Sequence, residues 1–154
     1  MSRKSIQDAF PAFRAGLGTP MQLNIGYKGA AITAATNALK QWSVPAALMP
    51  DRAGKVLRLA HLNLFVDGPG TGATGGNWTF TVTNGAGTVL GTAVIAYNAS
   101  VLSASVDLRT NAIGQAIAAG DTLSLNLTGV PTGTLTGLTS VSAEILAETY
   151  GIEA

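Results

Sequence analysis

The sequence contains no cysteine and a single histidine. The first absence excludes disulfides, thiolate metal sites and cysteine nucleophiles. The second leaves His61 as the one imidazole, so a zinc centre would have to be built mostly from carboxylates. Charge is scarce as well: Asp, Glu, Lys and Arg make up 11% of the 154 residues, against about 25% in an ordinary soluble domain. No apolar run approaches the roughly 18 residues of a membrane-spanning helix, and the opening MSRKSIQDAF has no apolar signal-peptide core. These absences lead us to expect synthesis in a cytoplasm and no membrane partner.

What is present is 47% apolar residues and 19 glycines, with Ala, Thr and Ser filling much of the rest. A chain of this length forms one domain and buries roughly 70% of its unfolded surface, enough for a core without staples. With so few charges to keep a bare surface in solution, burial against other subunits is expected. The charges are also divided unevenly. Residues 1–55 hold seven Lys and Arg (Arg3, Lys4, Arg14, Lys28, Lys40, Arg52 and Lys55) against Asp8 and Asp51, a formal +5. Residues 56–154 hold Arg58 and Arg109 against six acids, a formal −4. This asymmetry suggests that the N-terminal third faces a different partner from the rest. The basic residues are scattered and not interleaved with aromatics, so nucleic acid is not the expected partner.

The texture of the chain changes near residue 50. Before it, Pro11, Pro20, Pro45 and Pro50 break an irregular segment. Within that segment, MQLNIGY (21–27) alternates as a strand, and Ile32, Ala35, Leu39 and Trp42 fall on one face of a short helix over Ala30–Trp42. After Asp51 the pattern is β. KVLRLAHLNLFV (55–66) is apolar on both faces, as a central strand would be, and NWTFTVT (77–83) alternates strictly with Trp78, Phe80 and Val82 on one side. Asn84-Gly85 signals a hairpin leading into TVLGTAVI (88–95). SASVDLR (103–109), DTLSLNLT (121–128) and SVSAEIL (140–146) follow as strands, and NAIGQAIAAG (111–120) is the one helical turn expected among them. Short strands punctuated by turns, without intervening long helices, predict an antiparallel sandwich or barrel.

Residues 68–83, GPGTGATGGNWTFTVT, contain G-x-G-x-x-G at Gly70, Gly72 and Gly75. A dinucleotide fingerprint needs a helix after the glycines and an acid about 20 positions on. Here a period-two strand follows, and after Asp67 the next carboxylate is Asp107. The glycines are therefore read as an exposed, mobile loop tip, with Gly70, Gly72, Gly75 and Asn77 as candidates for outside contacts and no cofactor expected.

Other candidates weaken on inspection. His61 lies mid-strand with no G-x-S-x-G nucleophile elbow in the chain. Asp67, Asp107 and Asp121 lack the spacing of an EF-hand loop, and Glu144 and Glu148 read as surface charges. Trp78 and Phe80 share a face with Val82, the pattern of a core rather than of a sugar-stacking platform with Tyr97 and Trp42. No acid, base and nucleophile set assembles, so an enzyme is not expected.

NWTFTVTNGAGTVLGTAVI, the strand AIAAGDTLSLNLTG with its Gly120-Asp121-Thr122-Leu123-Ser124-Leu125, and the final VSAEIL resemble the jelly-roll domains of tailed-phage virion proteins. These include capsid decoration (cement) proteins, head fibres and tail-fibre tips, and more distantly the trimeric tumour-necrosis-factor and C1q-like heads. The resemblance covers roughly residues 55–147 and implies a homotrimer without catalysis. The resulting expectation is an all-β, antiparallel jelly-roll-like β-sandwich over 51–154, with an irregular, partly helical N-terminal arm over 1–50. The arm would contact the major capsid protein shell through Arg3, Lys4, Arg14, Lys28, Lys40 and Arg52, placing the protein on the virion surface. The alternatives are a receptor-binding tip whose glycine loop touches host glycans, or a soluble carbohydrate-binding module.

Overall fold

Period-two alternation becomes two facing antiparallel sheets. The computed structural model describes residues 21–44, 55–109, 116–117 and 120–151. Within them the strands are β1 (Met21–Asn24), β2 (Tyr27–Ile32), β3 (Thr36–Ser43), β4 (Lys55–Gly68), β5 (Ala73–Gly75), β6 (Asn77–Thr83), β7 (Val89–Ala96), β8 (Ser103–Asp107), β9 (Ala116–Ile117), β10 (Thr122–Gly129), β11 (Thr132–Gly133) and β12 (Leu138–Gly151). The first sheet runs β1-β12-β4-β8, with β2 continuing the β1 edge along β12 and β9 pairing the start of β4. The second runs β3-β10-β6-β7, and β5 and β11 form a small separate ribbon. This is an antiparallel β-sandwich.

The longest ladder joins β12 to β4, from Ser140 opposite Gly68 to Gly151 opposite Lys55, with bulges beside Ser140 and Leu146. Leu62, Leu64 and Val66 of β4 and Val141, Ala143 and Ile145 of β12 point inward. They meet Trp78, Phe80 and Val82 of β6 and Leu123, Leu125 and Leu127 of β10 in one continuous core. Each large apolar side chain fully buried this way contributes about 1.5–3 kcal/mol. The hairpin signalled by Asn84-Gly85 forms, with its left-handed residue at Gly87 (φ +81°): Gly87 N–H donates to the Asn84 carbonyl at 2.9 Å and Thr88 N–H to the Asn84 side chain at 2.8 Å. The two sheets close on one another where β8 leaves β4. There Leu108 N–H donates to the Ala60 carbonyl, and the Leu108 side chain fills the space where Gly91 of β7 lacks a Cβ.

Two expectations are corrected. The helix over Ala30–Trp42 does not form: those residues fall in β2 and β3, on either side of a short connection. β2 pairs with β12 and β3 with β10, so Leu39 and Trp42 pack on the core as strand residues. Secondly, β4 is apolar on both sides only around Leu59 and Ala60, which are both buried, and from His61 to Asp67 it alternates. Its inward side is Leu62, Leu64 and Val66, while His61, Asn63, Phe65 and Asp67 form the outward side. Residues 21–44 are thus hydrogen-bonded into both sheets. Of the helical turn expected at 111–120, only 116, 117 and 120 are described, with 116–117 in β9.

Candidate functional site

The glycine-rich segment is held by a second loop. Thr71 N–H donates to Thr136 Oγ1 at 2.7 Å and Thr136 N–H returns a bond to the Thr71 carbonyl at 3.0 Å. Further along, β5 pairs with β11 through Thr132 opposite Gly75. Gly72 has φ +90°, and a Cβ there would run into the Thr134 carbonyl. Only glycine satisfies both the dihedral and the backbone approach. Gly70 and Gly72 are exposed, Gly75 is half-buried, and Asn77 is exposed at the start of β6. Because β6 follows directly, no helix N-terminus stands where a pyrophosphate would need one. The glycines serve a loop-to-loop clasp.

Of the basic candidates, Lys28 lies exposed on β2 opposite Ser140, and Lys40 exposed on β3 opposite Leu125. They therefore belong to different sheets. Arg3, Lys4, Arg14 and Arg52 lie outside the described residues.

His61 is half-buried on the outer face of β4, directly opposite Asp107 of β8. Asp107 is committed to Arg109: the guanidinium donates to both carboxylate oxygens at 3.0 Å, and Arg109 N–H adds a bond at 2.9 Å. Those side-chain bonds, followed by the backbone bond, hold the Asp107 carboxyl down at about 2. Among the described residues no group of three or more His, Cys, Asp or Glu is placed to hold a metal ion.

A different constellation emerges from the register of the first sheet. Asn24 of β1 lies opposite Glu144 of β12, which lies opposite Asn63 of β4, which lies opposite Ser105 of β8. The next row is Ser142, Phe65 and Ser103. Inward alternation of their neighbours forces all of these side chains onto the outer face. Because the serines are small, the face is depressed between its larger members, leaving an open trough of about 410 Å³ that Leu64, Ala104 and Ala143 also line. Phe65 borders it with 44% of its surface exposed.

The polar groups of the trough have a defined polarity. Asn24 Oδ1 accepts Gly26 N–H at 2.9 Å, and Asn63 Oδ1 accepts Ser105 O–H at 2.8 Å. Each amide is thereby fixed, and among the described residues its NH₂ donors are unspent. Glu144 sits between them, and among the described residues no hydrogen bond or ion pair engages its carboxylate. The described lining contains no Lys or Arg. Sequence reasoning took Glu144 as a surface charge and passed over Asn24, Asn63 and Phe65. The strict alternation of HLNLFVD would have put Asn63 and Phe65 on one face, but nothing local joins them to Asn24 or Glu144.

The outer face of the second sheet is a carpet of hydroxyls and amides. Thr81, Thr83, Asn126 and Thr128 line a smaller depression of about 330 Å³ with Asn37, Gly87 and Val89. Its centre is Asn126, whose NH₂ donates to Thr83 Oγ1 at 3.1 Å and whose carbonyl accepts Ala38 N–H at 2.7 Å. This residue is spent on holding β3 and β6 and has little left to offer a ligand. No protein-family model matches the chain, and no curated protein matches it either.

Proposed function

We propose that the chain is a non-enzymatic virion structural protein of the jelly-roll kind, a capsid decoration protein that binds the head shell as a homotrimer. The order of strand pairing is the observation that carries this reading. Taking β1 and β2 together as the first long strand, the sequence of long strands is β1/β2, β3, β4, β6, β7, β8, β10 and β12. The first pairs with the eighth, the second with the seventh, the third with the sixth and the fourth with the fifth. One long hairpin wrapped around a common core produces that nesting, and a jelly roll is such a wrapped hairpin.

The surface supports assembly. With charge so sparse, the outer faces rely on hydroxyls, and Val89, Val94 and Val101 stand 50–60% exposed on and just beyond β7, an outermost strand of its sheet. Subunit contact there would remove apolar surface from water and cover a bare edge. The basic side chains Arg3, Lys4, Arg14, Lys28, Lys40 and Arg52 remain the candidates for shell contact.

Light scattering during size exclusion gives the first test: a stable trimer is expected, and a monomer at micromolar concentration overturns the trimer. Cosedimentation with capsids gives the second. Deleting residues 1–50 would remove β1, β2 and β3 with their core contacts, so the informative change is reversal of Arg3, Lys4 and Arg14 to Glu. Loss of capsid binding is expected, and unchanged binding removes these residues from the shell contact. A glycan-recognising tip or module is the second reading, favoured by the trough on the first sheet.

A further inference from the structure

We infer that the outer-face trough of the first sheet is a binding site for a neutral saccharide, recognised through a pair of neighbouring ring hydroxyls. The site depends on neither the trimer nor the capsid. It is built from the order of polar groups across three adjacent strands: amide donors on Asn24, an acceptor on Glu144, amide donors on Asn63. Neighbouring strands are about 4.8 Å apart, so this row offers donor, acceptor and donor within roughly 10 Å. A hydroxyl both donates and accepts. Two adjacent hydroxyls can each donate to one Glu144 oxygen while accepting from the flanking amides.

The same polarity excludes other occupants. An anion would face the Glu144 carboxylate with no cation among the described lining residues to offset it. A metal cation would find a single carboxylate flanked by NH₂ groups of the wrong sign and, among the described residues, no group of three His, Cys, Asp or Glu to complete its coordination. A purely apolar ligand would bury an unpartnered carboxylate, at a penalty of several kcal/mol. A neutral polyol satisfies the row.

Phe65 supplies the other half of sugar recognition. Its ring is exposed beside the polar row, between Ser103 and Ser142. A pyranose has a face of C–H groups and a rim of hydroxyls. Laying that face on the Phe65 ring would direct the rim toward Glu144 and the two asparagines. The trough's volume of about 410 Å³ falls within the range of roughly 300–1,000 Å³ found for small-molecule sites. Its openness along the sheet suits a unit of a longer chain rather than an enclosed monosaccharide. This site is separate from the glycine loop, whose Thr71 and Thr74 bond to the facing loop.

The test is a titration of the isotopically labelled full chain, followed by amide NMR shifts. Cellotriose, maltotriose, mannotriose and chitotriose serve as neutral probes and sialyllactose as the charged control. Saturable shifts at Asn63, Ser105 and Glu144 with at least one neutral trisaccharide are expected, at a Kd of about 1 mM or tighter. Glu144→Gln and Phe65→Ala, both on the outer face, should each weaken binding at least about tenfold while leaving the core resonances in place. The assignment is overturned if no neutral probe shifts those amides, if sialyllactose alone does, or if both variants bind as the parent does.

Discussion

The side-chain carbonyl of Asn126 accepts the backbone N–H of Ala38 at 2.7 Å, and Ala38 is the one described non-glycine residue with positive φ, +53°. The two residues lie on adjacent strands where the β3–β10 register slips between Leu125 and Leu127. The bulge frees an amide from the ladder, and Asn126 takes it up.

Removing that partner strands the amide. Asn126→Ala should lower stability by about 1–3 kcal/mol. Ala38→Gly relieves a left-handed conformation costing about 1–2 kcal/mol but loosens the unfolded chain, for a net gain of about 0.5–1 kcal/mol. Urea unfolding of the two variants should move in opposite directions. A neutral Asn126→Ala would mean that water replaces the side chain.

Gly91 and Leu108 share one space across the closure between the sheets. Gly91→Ala overpacks it and should cost about 1–3 kcal/mol, while Leu108→Ala empties it at about 2–5 kcal/mol. In the double variant the new methyl occupies the vacated volume, so the combined loss should fall short of additivity by more than about 0.5 kcal/mol. Strict additivity in denaturation midpoints would refute the contact.

Gly72 and Gly87 have similar dihedrals, φ +90° and +81°, but different surroundings. A Cβ on Gly87 meets nothing within 4 Å, whereas on Gly72 it meets the Thr134 carbonyl. Gly87→Ala should therefore cost only the left-handed term, about 1–2 kcal/mol. Gly72→Ala should cost clearly more and release the clasp, read as faster amide exchange at Thr71 and Thr136. Equal effects would show that the loops separate freely.

The Arg109 guanidinium holds the Asp107 carboxyl at about 2 instead of 3.8. Because the folded value is the lower one, the associated stability is present above pH 3.8 and fades as pH falls from there toward 2. Arg109→Gln should move the Asp107 titration midpoint, followed by carboxyl NMR, upward toward 3.8. An unmoved midpoint would assign the shift to another group.

The sequence made the strands with strict alternation plain, because each carried its inward face in its own residues: Trp78, Phe80 and Val82, or Leu123, Leu125 and Leu127. Residues 30–42 misled because AAITAATNALK is rich in alanine and spaces its larger apolar residues as a helix does. Their strand state comes from partners about 80–110 positions away, on β10 and β12, which local propensity does not encode. The trough was hidden for the same reason. Asn24, Asn63, Ser105 and Glu144 are separated by about 40 positions each, and only register brings them into one row. Composition spoke for a polar, small-residue surface; it was silent on where that surface would hold an unpartnered carboxylate.

The position of β12 bears on how the molecule is made. It lies inside its sheet, between β1 and β2 on one flank and β4 on the other, although it follows all three of them in the chain. Until residues 138–151 emerge, β1, β2 and most of β4 present open edges, and the apolar sides of both sheets stay unmatched. Such edges are templates for pairing between chains. Completion of the sheet consequently waits for β12, and polysomes carrying many copies are where strand exchange between neighbours would begin.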